Sequence, residues 1–444
     1  MPPGRNRGLS HGHPRGPSHT AAPMSTVART PAVVPRGRII AMAAPAVLAT
    51  FGASFGFAAL KFVLIGELGL DFDPATHQPL PWAWLEHLVQ ICITHGSIKE
   101  TITQGLAAVI TLGVILGYFV NSPLSGAWSC ARLFAVSGFG VAVGTLAVKI
   151  GNPWIIMVLV GIAYGAACAA RGKCVPLIAQ QTGISNTFVS GIINAAMVIG
   201  LLFGTLGGML FYNWIDSSWI RHLVIAIALV ISAVAGAFVR APEPTPIPFL
   251  AGWQDLFRGS LRLIISHWPL LIGGGLAWGI ASAASLAIFM DAVQRLQLEE
   301  TRAVSLVVFP GIGAIVGNLF SHHLVSRRWV VITFLIWGAI TVTYPKAVDG
   351  YWTAACFAAI TGACFAAGAN VLDARFLKNA AAENEAGRGG TMMSLTHSLC
   401  IFFVGTTLAV SMLAGWISAL AQFEVMAGLI ALTAGVACFA KLEK

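Results

Sequence analysis

Charge is what this 444-residue chain has least of, since Asp, Glu, Lys and Arg together make up 10% of it. A water-soluble globular domain carries about a quarter, so a soluble fold is excluded. The eight cysteines stand one at a time, mostly inside apolar runs, with no C-x-x-C and no Cys/His metal spacing. They read as small buried hydrophobes. There is no metal-ligand triad, no Ser/His/Asp set and no phosphate-cradling loop, so neither an enzyme nor a bound cofactor is expected. Lys and Arg outnumber Asp and Glu by 26 to 17, but no basic cluster is interleaved with aromatics. A nucleic-acid partner is therefore not expected either.

What is present is apolar length. Hydrophobic residues make up 57% of the chain and the mean hydropathy is +0.80, values of a polytopic membrane protein whose main partner is the lipid bilayer. The clearest stretch is 171–212, a basic polar loop followed by a run from 189 to 212 without a charged residue. That run is long enough to cross a hydrocarbon core of roughly 30 Å as a helix. Gly200, Gly204 and Gly208 recur on one face of it and predict a seam at which another helix backbone approaches closely.

Residues 1–38 are rich in Pro, Gly, His and Arg and read as a disordered tail, with Met24 as a second plausible start. Spans are expected at about 39–65, 101–120, 133–149, 154–170, 189–212 and 219–239, which form a first half over 39–240. The connector 241–268 is polar and proline-bearing, and its second part is amphipathic. A second half, 269–444, offers spans at about 269–290, 303–320, 329–345, 352–372, 391–413 and 416–440. The loop 66–100 carries Trp82, Leu85, Val89 and Ile93 at helical spacing, which predicts a helix lying in the membrane interface. His87 and His95 with Glu86 are its polar side rather than a metal site. With the amino terminus inside, nineteen of the 26 basic residues fall on the cytoplasmic side and seven on the other. Both termini are then expected in the cytoplasm.

The halves echo each other. Arg171, Lys173, a polar linker and a glycine-bearing helix follow the fourth span; Arg375, Lys378, the linker NAAAENEAGRGG and a helix with small residues follow the tenth. Two parallel six-span halves joined by a cytoplasmic connector resemble the major facilitator superfamily, an all-α membrane fold of twelve helices. Within it, GVILGYFVNSPLSGAWSCARL, AARGKCVPL, FVSGIINAAMVIGLLFGTLGG and EAGRGGTMMSLTHSL resemble the lysophospholipid transporter family. The resemblance implies a secondary transporter of a small amphipathic molecule in a cell inner membrane. A monomer is expected. The alternative is a non-transporting relative that serves as an assembly factor or membrane scaffold.

Several site residues follow. Thr50, Ser54 and Lys61 lie within about 40° of one another on the first helix, and Asn194 and His397 are polar groups inside the fifth and eleventh; these five are the candidate substrate site. For a lipid phosphate, Lys61 is the natural cation. For Asn194 and His397, an interhelical hydrogen bond is the competing role. The superfamily's gating loops are reduced to Arg132 after the second span and Arg327 and Arg328 after the eighth. The resemblance also implies that Gly313 and Gly317 on the eighth helix meet the glycine face of the fifth. It further implies that Ala53 and Asn194 replace family carboxylates, so coupling to an ion gradient is expected to be weak. Finally, Lys61 lies 23 residues after Arg38 and Asp291 24 after His267, at matching depth in equivalent helices, and a salt bridge between them is expected to latch the far-side gate. The competing reading sets Lys61 among headgroups and Asp291 with Arg295.

Overall fold

The computed structural model describes residues 36–71, 83–95, 98–242 and 246–442; most of the expected tail lies outside them. The described residues are mostly helical, with no β-strand element among them. Twelve helices are long and apolar enough to cross a membrane. Spans 1 to 6 are Ala41–Leu68, Ile98–Ala127, Cys130–Ala147, Pro153–Thr182, Asn186–Trp214 and Ser218–Ala237. Spans 7 to 12 are Leu256–Gln294, Arg302–His323, Arg327–Ala347, Tyr351–Ala382, Ala386–Leu413 and Leu420–Ala437. Among the described residues an even number of crossings puts the start of span 1 and the end of span 12 on one side, here called the near face.

Local chemistry sets many of the boundaries. Ser129, Asn152, Ser185, Ser326 and Ser418 each accept a first-turn amide and so start spans 3, 4, 5, 9 and 12. Spans 4 and 10 are stopped by residues at positive φ, Gly183 at 71° directly after span 4 and Asn384 at 62° shortly after span 10. Lipid-facing positions such as Val143, Phe203 and Leu335 remain exposed, while Trp214, Trp219, Trp352 and Trp416 ring the far ends of the spans and Trp268 and Trp329 the near ends. A reporter active only in the cytoplasm, fused at Asn384 or at Gln297, is expected to give opposite readouts; equal readouts would contradict the alternating topology.

The glycine seam exists but faces a different neighbour. A Cβ on Gly200, Gly204 or Gly208 would collide with the span 1 backbone at Phe51, Phe55 or Ala59. Gly313 and Gly317 admit span 10 at Ala359 and Ala363. Both seams lie within a half rather than between spans 5 and 8. Small residues at fourfold spacing mark a close-packed face without naming the backbone that fills it. Spans 5 and 8 do meet, with Gly191 against the Asn318 carbonyl and Leu202 against Gly311.

The expected loop helix is present, at Ala83–His95. It packs on the far end of span 11 and on span 2. Leu88, Ile91 and Cys92 join one apolar cluster and Val89 and Ile93 the other. Two adjacent apolar stripes let it pack on both neighbours.

Candidate functional site

Where the halves meet, the near side is shut. Gly172 on span 4 lies against the Gly390 backbone on span 11, and Gly387 against the Ser125 carbonyl on span 2. Lys173 donates to the Trp128 carbonyl at 2.8 Å. Beneath this seal, Asn370 of span 10 ties spans 5 and 8 together: its Nδ2 donates to the Thr187 carbonyl and to Ser321 Oγ, and its Oδ1 accepts from Ser190 and Asn194. Asn194 is thus a hydrogen-bonding strut between halves, placed away from the candidate substrate residues of span 1. On the far side, spans 1 and 7 form no packed interface among the described residues.

The near-face charges form a network that sequence reasoning missed. Arg388 pairs with Asp255 and Glu385 at 3.0 Å each, Arg262 with Glu385 at 2.6 Å, and His267 with Glu383 at 2.8 Å. These contacts clamp the span 10–11 linker against the helix that leads into span 7, whose Ser260 also bonds Tyr118 of span 2. Burial raises the Glu385 carboxyl above its ordinary value, against the opposing pull of Arg388 and Arg262. The expected gating residues lie outside this network: Arg132 and Arg328 are exposed, and Arg327 caps the Cys438 carbonyl at 3.2 Å. Three of the four pairs join residues more than a hundred positions apart, which leaves no local pattern to read.

At mid-depth, polar groups converge from both halves. Thr50 and Ser54 are buried on span 1, and with Tyr164, Cys168 and Arg171 of span 4 they line a small recess. Ser54 lies beside Tyr164 in the lining of this recess, and the Tyr164 ring stacks on Phe57 at 4.6 Å. Cys168 approaches Ser394 of span 11, across the boundary between halves. Arg171 is 8% exposed, touches the Met197 sulfur and leaves its Nε without a hydrogen-bond partner. Lys61 lies two turns farther along span 1 than Ser54, half-buried, on the same stripe. Thr50 and Ser54 thus line the recess, and Lys61 does not.

One turn from Ser394, His397 binds Asp373 of span 10 at 3.0 Å. Trp278 of span 7 covers the pair: its ring lies 5.5 Å from the imidazole and its Nε1 donates to Asp373 at 3.4 Å. Span 11 then changes to a π-helical turn at Ile401–Gly405, seated on Gly279 and Ser282 of span 7. Such turns loosen a helix and concentrate at functional sites. The sequence reading ended span 10 at 372 and span 4 at 170, which left Asp373 and Arg171 in loops. Both helices run on for two to three more turns, to the stops at Asn384 and Gly183.

The expected Lys61–Asp291 latch is not formed. Asp291 is 1% exposed and takes a bidentate pair from Arg295, at 2.7 and 2.8 Å, while Arg295 also donates to the Val348 carbonyl. A fork–fork pair four residues away on the same helix outcompetes a flexible lysine on a helix that does not pack against it. Exchanging the charges, Lys61→Asp with Asp291→Lys, is expected to add the damage of the single changes in an uptake assay. Restoration in the double variant would revive the latch.

Comparison with known proteins bears on the whole arrangement. The lysophospholipid transporter LplT of Shigella flexneri serotype 5b (strain 8401) is 25% identical over 247 residues, 52% of this chain and 53% of that one. The LplT of Escherichia coli (strain SE11) is 25% identical over 248 residues, with the same coverage. The chain thus spans about half the length of the curated relatives it matches. The fold is shared with the human organic anion transporter MFSD10 (TETRAN), at a TM-score of 0.70 and 13% identity over 91% of this chain and 100% of that one. Since the family model of the Major Facilitator Superfamily matches residues 41–405, running from the first span into the eleventh, this chain belongs to the Major Facilitator Superfamily.

Proposed function

We propose that this transporter carries a small amphipathic solute with an anionic head, a lysophospholipid or a close chemical relative, in a proton-coupled alternating-access cycle. The observation that carries the reading is the mid-depth constellation to which both halves contribute. Lys61 and Arg171 supply cations on the side of the first half, and Asp373 with His397 supplies a titratable pair on the side of the second. A phosphate needs a cation, and an acyl chain needs only the apolar walls that the spans provide. A carboxylate inside a membrane span is expensive unless it works, and carrying a proton is its commonest work. Sealed near faces with spans 1 and 7 apart correspond to the far-open state of a rocking pair of halves.

Asp373 also changes the balance between the two readings of the sequence. Ala53 and Asn194 stand where the resemblance expects carboxylates; an acid on span 10 facing His397 supports a coupled transporter in their place. The distribution of Lys and Arg supports a cytoplasmic near face. Reconstitution into liposomes with a labelled lysophospholipid panel, with and without a pH gradient, tests the proposal. Saturable, gradient-stimulated uptake of at least one lysophospholipid is expected. Absence of uptake for the whole panel by correctly folded protein would sink the substrate assignment.

A further inference from the structure

The helix ahead of span 7 carries an apolar surface that the transport path does not use. Phe249–Gln254 and the part of Leu256–Gln294 before His267 run almost continuously along the near face. His267, at φ −133°, breaks the line, and Pro269 begins the transmembrane part. The inner side of this helix is buried: Gly252 lies against Pro123 of span 2, and Leu256, Ser260 and Leu263 face the protein. The outer side presents Leu250, Trp253, Phe257, Leu261, Ile265 and Trp268, every one of them exposed, at three- and four-residue spacing. That stripe is continuous with the membrane belt. Phe257 meets Phe119 on the lipid-facing side of span 2 at 6.4 Å, and Trp268 meets Phe439, just past span 12, at 6.1 Å. Exposed Arg258 stands on its flank, and Arg262, though bound to Glu385, keeps 57% of its side chain accessible.

We propose that this helix is a strap through which the near leaflet holds the near face shut, and that anionic phospholipid is the lipid it takes. An apolar face bearing Trp and Phe, flanked by arginine, is the chemistry of a helix lying at the boundary of headgroups and acyl chains. The arginine adds attraction to an anionic leaflet. The strap also ties the halves together. On the first half it holds span 2, through the Ile247 amide on the Gly126 carbonyl at 3.1 Å and through Ser260 with Tyr118. On the second it holds the linker between spans 10 and 11, through Asp255 with Arg388 and Arg262 with Glu385. The halves cannot separate at this face unless one set of contacts lets go, which moves the stripe from the place where it continues the lipid surface. Lipid that grips the stripe therefore binds the near-closed state better than the near-open one. By linkage it favours closure.

The test uses the whole 444-residue chain in vesicles and reads opening of the near face rather than uptake, so its failure is separate from failure of the substrate assignment. Cys168 lies one turn beneath Gly172 in the near-face seal. Its modification from the near face by a membrane-impermeant maleimide, measured on its own peptide, reports the open fraction. Replacing phosphatidylglycerol by phosphatidylcholine is expected to speed this labelling about fivefold, the worth of one arginine near an anionic surface. Arg258→Gln should label about fivefold faster than the wild type in phosphatidylglycerol and lose most of the lipid dependence. Phe257→Ser with Leu261→Ser should label about tenfold faster or more in either lipid, for the loss of two apolar anchors. Gln254→Ala, an exposed change off the stripe, should match the wild type. Trp253→Phe should remove a fluorescence component that brominated phosphatidylcholine quenches, whatever the gate does. Labelling indifferent to the lipid in the wild type, equal acceleration in Gln254→Ala, or Trp253 fluorescence untouched by brominated lipid would overturn the proposal. So would a dimer that dissociates in Phe257→Ser with Leu261→Ser, since protein rather than lipid would then cover the stripe.

Discussion

Asp373→Asn is expected to abolish the response of uptake to a proton gradient while leaving solute exchange across a gradient-free membrane intact. Asparagine keeps the size of the side chain and one carbonyl oxygen for the Trp278 indole, but it cannot take up a proton. With one proton carried per solute, a gradient of one pH unit is worth about 1.4 kcal/mol, or tenfold in accumulation. That tenfold is what the variant should lose. The groups facing the carboxylate are few: His397 from span 11 at 3.0 Å and the Trp278 indole from span 7, with Cys400 against the neighbouring Gly275. Cys168, Tyr164 and Arg171 stand across the boundary on span 4. The imidazole is the group in direct contact with the carboxylate, so His397→Gln should shift the pH profile of uptake without removing coupling. Uptake by Asp373→Asn that a protonophore still collapses would mean that the proton travels elsewhere.

Much of this molecule was legible in its sequence, and the limits have physical reasons. Span number and the division into halves follow from apolar length, which a bilayer enforces more strictly than water enforces any soluble pattern. The stripe of Thr50, Ser54 and Lys61 was legible because helical geometry alone fixes it. What a helix touches was not. The face of Gly200, Gly204 and Gly208 was correct and its partner was wrong, because glycine spacing says only that some backbone comes close. Asp373 and Arg171 were missed because hydropathy stops at the first charge, while the helices continue to residues whose backbone cannot. Gly183 and Asn384 were the available signals for those stops. For Asp291 the competing reading is the one that holds, with the arginine four residues away, a helical neighbour that needs no conformational change to meet it, and the latch drawn from matching depth is not formed.

Two glycine-to-leucine changes should separate the packing of a half from the closing of the gate, with opposite signatures. Gly204 is covered by the span 1 backbone at Phe55 inside the first half, a contact that persists whichever way the halves tilt. Gly204→Leu therefore overpacks a permanent interface, at a cost of about 1–3 kcal/mol or more, and should lower the amount of folded protein. Gly390 meets Gly172 and the Ala169 carbonyl on span 4, across the boundary between halves, and that contact exists only while the near face is shut. Gly390→Leu should leave each half folded and the yield in the membrane unchanged. It should instead penalise closure. A penalty of about 3 kcal/mol shifts the balance between open and closed states by roughly two orders of magnitude, and uptake should fall by a similar factor. Cys168 reports the difference, because it lies one turn beneath Gly172 against Ser394 and is reached from the near face only when the seal parts. A membrane-impermeant maleimide applied to the near face should label Cys168 in Gly390→Leu and not in the wild type. Gly204→Leu should instead show a lowered unfolding temperature, with Cys168 protected in whatever protein folds. Normal uptake and a protected Cys168 in Gly390→Leu would place the near-face seal somewhere other than the meeting of spans 4 and 11.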